Sequence, residues 1–144
     1  MGIDHGERRI GIAISDESRT LARPLTVLHP GSSAAAIDEV VKLIERAAVE
    51  DGSLDLIVVG LPTRLDGSPN EATGRVTEFV EALARRTSIR VVTEDERLSS
   101  REAESRLARV HKDWRARKAL LDAAAAAIIL QDYLDRSAPP DSSR

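Results

Sequence analysis

The feature that most restricts the fold is the run Leu56-Ile57-Val58-Val59-Gly60, free of charge and rich in β-branched side chains, set between two segments of helical periodicity. A continuous apolar strand, unlike an alternating one, is buried on both faces of its sheet. A strand preceded and followed by helices joins its neighbours through crossovers, so it pairs in parallel with them. The chain must therefore build an α/β fold with this strand in the middle.

The segments around it agree. Ile10-Gly11-Ile12-Ala13-Ile14-Ser15 alternates as a strand does and is separated from Ile3-Asp4 by a turn at Gly6 to Arg8, which predicts a hairpin. A third strand is expected over Leu25-Thr26-Val27-Leu28, ending at Pro30-Gly31. Behind a Ser cap, Ala36-Ile37, Val40-Val41, Ile44 and Ala47-Ala48 predict a helix from about Ser33 to Glu50. Ser68-Pro69-Asn70-Glu71 has the form of a helix start, with Ser68 as cap and Pro69 at the first helical position, and that helix should run to about Arg86. Ile89 to Thr93 is a fifth strand, leading into Glu94-Asp95-Glu96-Arg97. Ser99 and Glu102 form a capping box for a helix ending near Val110, and a last helix is expected from roughly Arg115 to Leu134. The result is a five-stranded mixed sheet, antiparallel over its first three strands and parallel in the remainder, flanked by helices.

With 144 residues the chain suits a single domain, here residues 1–135, while the Pro- and Ser-rich segment 136–144 has a disordered composition. Aromatic residues make up only 2%, so the core must be aliphatic. The absence of cysteine excludes thiolate metal sites, disulfides and cysteine nucleophiles. No apolar run is long enough to span a bilayer and no signal sequence is visible, so a cytoplasmic protein without membrane contact is expected. Charge is unevenly spread. Between Arg97 and Lys118 there are eight Lys or Arg against three Asp or Glu, a local +5 within a chain of net charge -3. Such asymmetry points to a local anionic partner.

Three places carry acids that chemistry could use. Asp4 lies within the first strand, where it is either a turn residue or a carboxylate in need of a cation; Gly6, Arg8 and Arg9 stand beside it. Glu94-Asp95-Glu96 lies just past the last strand, where open α/β sheets bind ligands, though a solvated acidic loop would look the same. Asp122 is the lone charge among eleven apolar residues between Ala119 and Leu130, so its helix has almost no polar face on which to expose it. A buried, unpaired carboxylate costs several kcal/mol and asks for a metal or a proton. Together these acids supply oxygen ligands suited to Mg²⁺ or Mn²⁺, with which phosphodiester hydrolysis needs no serine, histidine or cysteine nucleophile.

The run Met1 to Asp16, then Val58-Val59-Gly60-Leu61-Pro62, Asp66-Gly67-Ser68, Asp95-Glu96-Arg97-Leu98-Ser99-Ser100 and Asp122 to Tyr133 resemble the YqgF family, also called RuvX, over nearly the whole chain. The resemblance implies a ribonuclease-H-like fold and a nuclease acting on the 5′ end of pre-16S ribosomal RNA or on Holliday junctions. It also implies that Asp4 bridges metal ions, that Asp122 ligates from the last helix, and that either Asp95 or Glu96 supplies the remaining carboxylate. Related resolvases place an acid after the fourth strand; Gly60 stands there in this chain, consistent with the fifth strand taking over that role. Only three residues precede Asp4, fewer than usual, so a first strand frayed at its start or a longer N-terminus is expected.

Arg8, Arg9, Arg97, Lys112, Arg115, Arg117 and Lys118 are the expected contacts to a nucleic acid, either precursor ribosomal RNA or branched DNA, with Trp114 placed to stack on a base or to be partly buried. RNA trimming requires one active site and fits a monomer; junction resolution requires two cuts and fits a homodimer. A non-catalytic nucleic-acid scaffold and an ATP phosphotransferase with the hairpin phosphate motif of the actin and sugar-kinase superfamily are the rival readings, the second weakened by the lack of a second such domain. If Asp122 is held in an apolar helix only to bind metal, Asp122→Asn in EDTA should melt at or above the wild-type temperature, while cleavage in Mn²⁺ is lost. A variant that melts several degrees lower and cuts normally would make Asp122 structural.

Overall fold

A computed structural model describes residues 1–52, 54–96, 101–111, 113 and 123–137. Nine elements follow one another in these residues: β1 (Gly2–His5), β2 (Ile10–Ser15), β3 (Ala22–Leu28), α1 (Ser33–Asp51), β4 (Leu56–Leu61), α2 (Glu71–Arg86), β5 (Arg90–Asp95), α3 (Arg101–Val110) and α4 (Ala124–Ser137). The strands form one sheet in the order β3-β2-β1-β4-β5. β1–β2 and β2–β3 are antiparallel, and β1–β4 and β4–β5 are parallel, as the pattern of strands and crossovers requires. Ile57, Val58 and Val59 of β4 are fully buried.

Side-chain alternation divides the core between the two faces. Ile3, Ile10, Ile12, Ile57 and Val59 meet the aliphatic stripes of α1 and α2 on one face. Ala13, Ala22 and Val58 meet Leu107 of α3 and the Ala-rich α4 on the other. No helix among the described residues is long and apolar enough to cross a membrane.

Several boundaries differ from expectation, and β5 runs on through Glu94 and Asp95, leaving only Glu96 of the three acids past its end. β1 is not frayed: it pairs from Gly2 onward, and the Met1 carbonyl accepts the Val58 N–H at 2.8 Å. β3 begins at Ala22, three residues before Leu25, because the edge position tolerates Pro24 next to a register shift at Ile12/Ala13. The N-cap of α2 is Asn70 in a reciprocal box with Thr73, not Ser68. Ser68 is already engaged: its N–H and Oγ both donate to Asp66 Oδ1, at 2.9 and 2.6 Å, and its carbonyl accepts the Arg64 N–H. The last helix extends past Leu134 to Ser137. Its expected first turns, the Ser99 cap, Trp114 and the tail from residue 138 lie outside the described residues.

Polar groups fasten α4 to the sheet. Gln131, fully buried, accepts from the Ala22 N–H at 2.9 Å and donates to the Thr20 carbonyl and to Asp135 Oδ1, each at 2.9 Å. Arg136 pairs with the buried carboxylates of Glu94 on β5 and, at 2.7 Å, Asp132 on its own helix. Arg136→Leu would leave those two acids facing each other without their cation and should cost about 2 kcal/mol or more, read as a lower urea midpoint. Adding Glu94→Gln and Asp132→Asn to that variant should recover most of the loss; an additive further loss would show that the acids have other, stronger partners.

Candidate active site

β1, β4 and β5 run parallel, so their carboxyl ends share one edge of the sheet, the edge at which open α/β sheets bind ligands. Asp4 is the third residue of β1, and Glu96 directly follows the end of β5. Alternation turns Gly2 and Asp4 toward α4, opposite to Ile3. The two carboxyl groups hydrogen-bond to each other, Glu96 to Asp4.

Gly60 makes this contact possible. A Cβ built on it would lie 2.8 Å from Glu96 Oε1, 3.2 Å from Glu96 Cγ and 2.5 Å from Ile129 Cδ1. Glu96 thus occupies the space that a side chain at the end of β4 would need. Any larger residue there would displace the Glu96 side chain, the α4 side chain Ile129, or both.

The two neighbouring acids are handled differently. Glu94, in register with Gly60, is taken by Arg136. Asp95 alternates to the other side of the strand and accepts a hydrogen bond from Thr63 Oγ1 at 3.3 Å. Of the pair that the sequence leaves open, Glu96 is the one bonded to Asp4. Asp122, Arg97, Lys112, Arg115, Arg117 and Lys118 lie outside the described residues. Arg8 and Arg9 are exposed on the β1–β2 turn, which is closed by the Gly6 N–H donating to the Arg9 carbonyl at 2.9 Å. Both arginines, with Asp4, line an open cleft of about 620 Å³.

Electrostatics mark the acid pair as strained. Burial raises the pKa of Asp4, an effect its hydrogen bond with Glu96 opposes. Burial also raises Glu96, and the Asp4 charge, the shared hydrogen bond and the Asp95 charge add to this, bringing it to about 7. Two carboxylates in contact at a partly desolvated edge cannot both ionise without a cation, so near neutral pH a proton holds them together. A divalent cation satisfies the same geometry, which is the donor chemistry expected of a hard-metal site. Among the described residues no group of three potential ligands converges, so the pair would form part of a ligand set.

The family model for RuvX, described as a Holliday junction resolvase, matches residues 1–136. This chain belongs to the RuvX family. Curated relatives carry the name "Putative pre-16S rRNA nuclease": one from Dechloromonas aromatica is 40% identical over 94% of this chain and 89% of its own length. Another from Natranaerobius thermophilus is 38% identical over 94% and 93%, and one from Maridesulfovibrio salexigens is 39% identical over 95% and 98%. The five-stranded mixed sheet is the ribonuclease-H-like arrangement of that RuvX family.

The pair predicts a pH signature. Because folding raises the pKa of Glu96 from 4.5 to about 7, the folded state holds a proton that the unfolded chain has released in that interval. The associated stabilisation is complete at low pH and is lost as pH rises through about 7, and the raised Asp4 acts with the same sign. In EDTA, the melting temperature of wild type relative to Glu96→Gln should therefore fall between pH 5 and pH 8. Mg²⁺ or Mn²⁺ at pH 8 should raise the wild-type midpoint and leave Glu96→Gln almost unmoved. Parallel pH curves for the two proteins would show that the carboxyl groups are not coupled.

Proposed function

We propose that this RuvX-family chain is a metal-dependent nuclease that hydrolyses phosphodiester bonds in precursor 16S ribosomal RNA, trimming its 5′ end. The observation that carries the reading is the contact between Asp4 on β1 and Glu96, which directly follows β5, at the carboxyl edge of the sheet. The names of the relatives support the substrate.

In this reading Asp4 and Glu96 hold Mg²⁺ or Mn²⁺, with Asp122 as the further carboxylate. A divalent cation held there supplies Lewis-acid charge to the scissile phosphate and to the attacking water. Asp4 and Glu96 present their oxygens from rigid strand ends, so they need little rearrangement to do so. With its pKa raised to about 7, Glu96 would release its proton to water at little cost near neutral pH and could then offer a charged oxygen to a cation. Arg8 and Arg9, on the closed turn beside Asp4, orient the backbone through its phosphates. Asp95 is one carboxylate removed from the site and tunes Glu96 through its charge. Ribosomal precursors place the enzyme in the cytoplasm, and one active site per cut is satisfied by a monomer.

The family description favours a second reading, in which a homodimer cuts a Holliday junction at two places. Incubating the protein in Mn²⁺ with a precursor 16S transcript and with a four-way DNA junction separates the two. Cleavage near the mature 5′ end with an intact junction is expected; paired symmetric nicks in the junction with an intact transcript would reverse the assignment. Asp4→Asn and Glu96→Gln should each lower cleavage by at least about 100-fold, as loss of a metal ligand does. Gly60→Ala should approach them by displacing Glu96, whereas Asp95→Asn should keep activity within about 10-fold of wild type, as a residue acting only through its charge would. Activity that survives Glu96→Gln but not Asp95→Asn would overturn the choice between these two acids.

A further inference from the structure

The motif Asp66-Gly67-Ser68 takes no part in the contact between Asp4 and Glu96; it closes a turn. The Gly67 N–H donates to the Arg64 carbonyl at 2.8 Å and the Arg64 N–H to the Ser68 carbonyl at 2.9 Å, while Asp66 Oδ1 accepts from the Ser68 N–H and Oγ at 2.9 and 2.6 Å. Gly67 has φ 88°, a left-handed conformation that favours glycine. The polar chemistry of the motif is thus directed into its own backbone, and the side chains that the turn presents outward are Arg64 and Leu65. Leu65 is 95% exposed, more than any other large apolar side chain among the described residues. Arg64 is exposed, and its side chain has no hydrogen bond or ion pair among them.

This turn stands at the carboxyl edge of the sheet. Its chain leaves β4 at Leu61, in register with Asp95, and Thr63 Oγ1 donates to Asp95 Oδ1 at 3.3 Å, one residue before Glu96. The Pro62 carbonyl accepts from Thr73 Oγ1, which ties the base of the loop to the first turn of α2. Within the sheet, β2 lies on one side of β1 and β4 on the other. The edge therefore has two rims, the β1–β2 turn with Arg8 and Arg9 and the β4–α2 loop with Arg64 and Leu65, and Asp4 lies between them. A single exposed leucine is ordinary on a protein surface. This one is held in a turn closed by four hydrogen bonds, next to a guanidinium whose fork of donors matches a phosphate. Proteins that bend nucleic acids use leucine among the apolar side chains that part neighbouring bases.

We infer that the β4–α2 loop is a second contact to the nucleic-acid strand, in which Arg64 holds a backbone phosphate and Leu65 enters between two neighbouring bases and unstacks them. The inference rests on the nuclease reading for the identity of the strand. It assigns both side chains to binding on the β4 side of Asp4 and neither to the chemical step.

The test uses a set of fluorescein-labelled single-stranded RNA oligonucleotides, each with 2-aminopurine at one position, read in Ca²⁺ by anisotropy for affinity and by 2-aminopurine emission for unstacking. Arg64→Ala should weaken binding about 3- to 10-fold and reduce the slope of log Kd against log salt by about 0.7, the value for one phosphate contact on a single strand. Arg64→Lys should restore the slope. Leu65→Ala should weaken binding by a similar factor with the slope unchanged, and should lose the rise in emission that accompanies wild-type binding at one or two probe positions; Leu65→Met should keep that rise. Arg46→Ala and Val49→Ala, exposed on α1, should match wild type in every quantity. An unchanged salt slope in Arg64→Ala, no emission rise with wild type at any position, or a wild-type rise in Leu65→Ala overturns the inference while leaving the nuclease reading intact. A protein that shows the expected slopes and emission but does not cut in Mn²⁺ overturns the nuclease reading and leaves the loop contact standing.

Discussion

Two carboxyl groups pressed together at a partly desolvated strand end are the constraint on which the rest of this structure depends. Like charges at such a distance repel strongly unless a proton or a cation lies between them, so the fold must pin both side chains. It does so with backbone: Asp4 is fixed by pairing of β1 on both sides, and Glu96 by the end of β5. In the proposed reading that repulsion would become affinity for a cation, so the site would oppose local stability without unfolding the sheet.

The helix α4 sets how close everything can come. A Cβ at Gly2 would meet Leu130 Cβ at 2.7 Å and the Ala126 carbonyl at 2.9 Å, so β1 and α4 touch almost backbone to backbone. The alanines Ala124, Ala126 and Ala127 serve the same approach, since larger residues would lift the helix off the sheet. Such tight apolar packing gives little orientational preference by itself. Gln131 and the Glu94–Arg136–Asp132 cluster supply it through directional bonds at both ends of the contact. The same closeness brings Ile129 against Gly60 and completes the wall behind Glu96.

Four acids near this edge thus receive three different treatments within a few residues of chain. Glu94 is neutralised by Arg136, Asp95 is turned aside to Thr63, and Asp4 and Glu96 are left to each other. The cations of the β1–β2 turn lie outside the pair, lining the cleft through which a phosphate backbone would arrive. In the proposed reading this separation would let the arginines attract a polyanion without quenching the acids, because exposed charges are screened by solvent while the partly buried pair is not.

By itself the sequence determined the order of elements, the mixed sheet and the interior place of β4, although β1 and not β4 is the middle strand, because hydrophobic periodicity and crossover geometry are local properties with few alternatives. It also pointed to Asp4 and to the Glu94–Glu96 segment, since acids at strand ends break the apolar pattern around them. It could not say which of Asp95 and Glu96 meets Asp4: that depends on the face to which β5 has rotated when it ends, and on the space left by a glycine on another strand. The start of α2 was misplaced for a similar reason, as Ser68 has the chemistry of a cap but spends it on Asp66 within the preceding turn. Tertiary structure decided these points because each depends on which groups from distant parts of the chain compete for the same few ångströms.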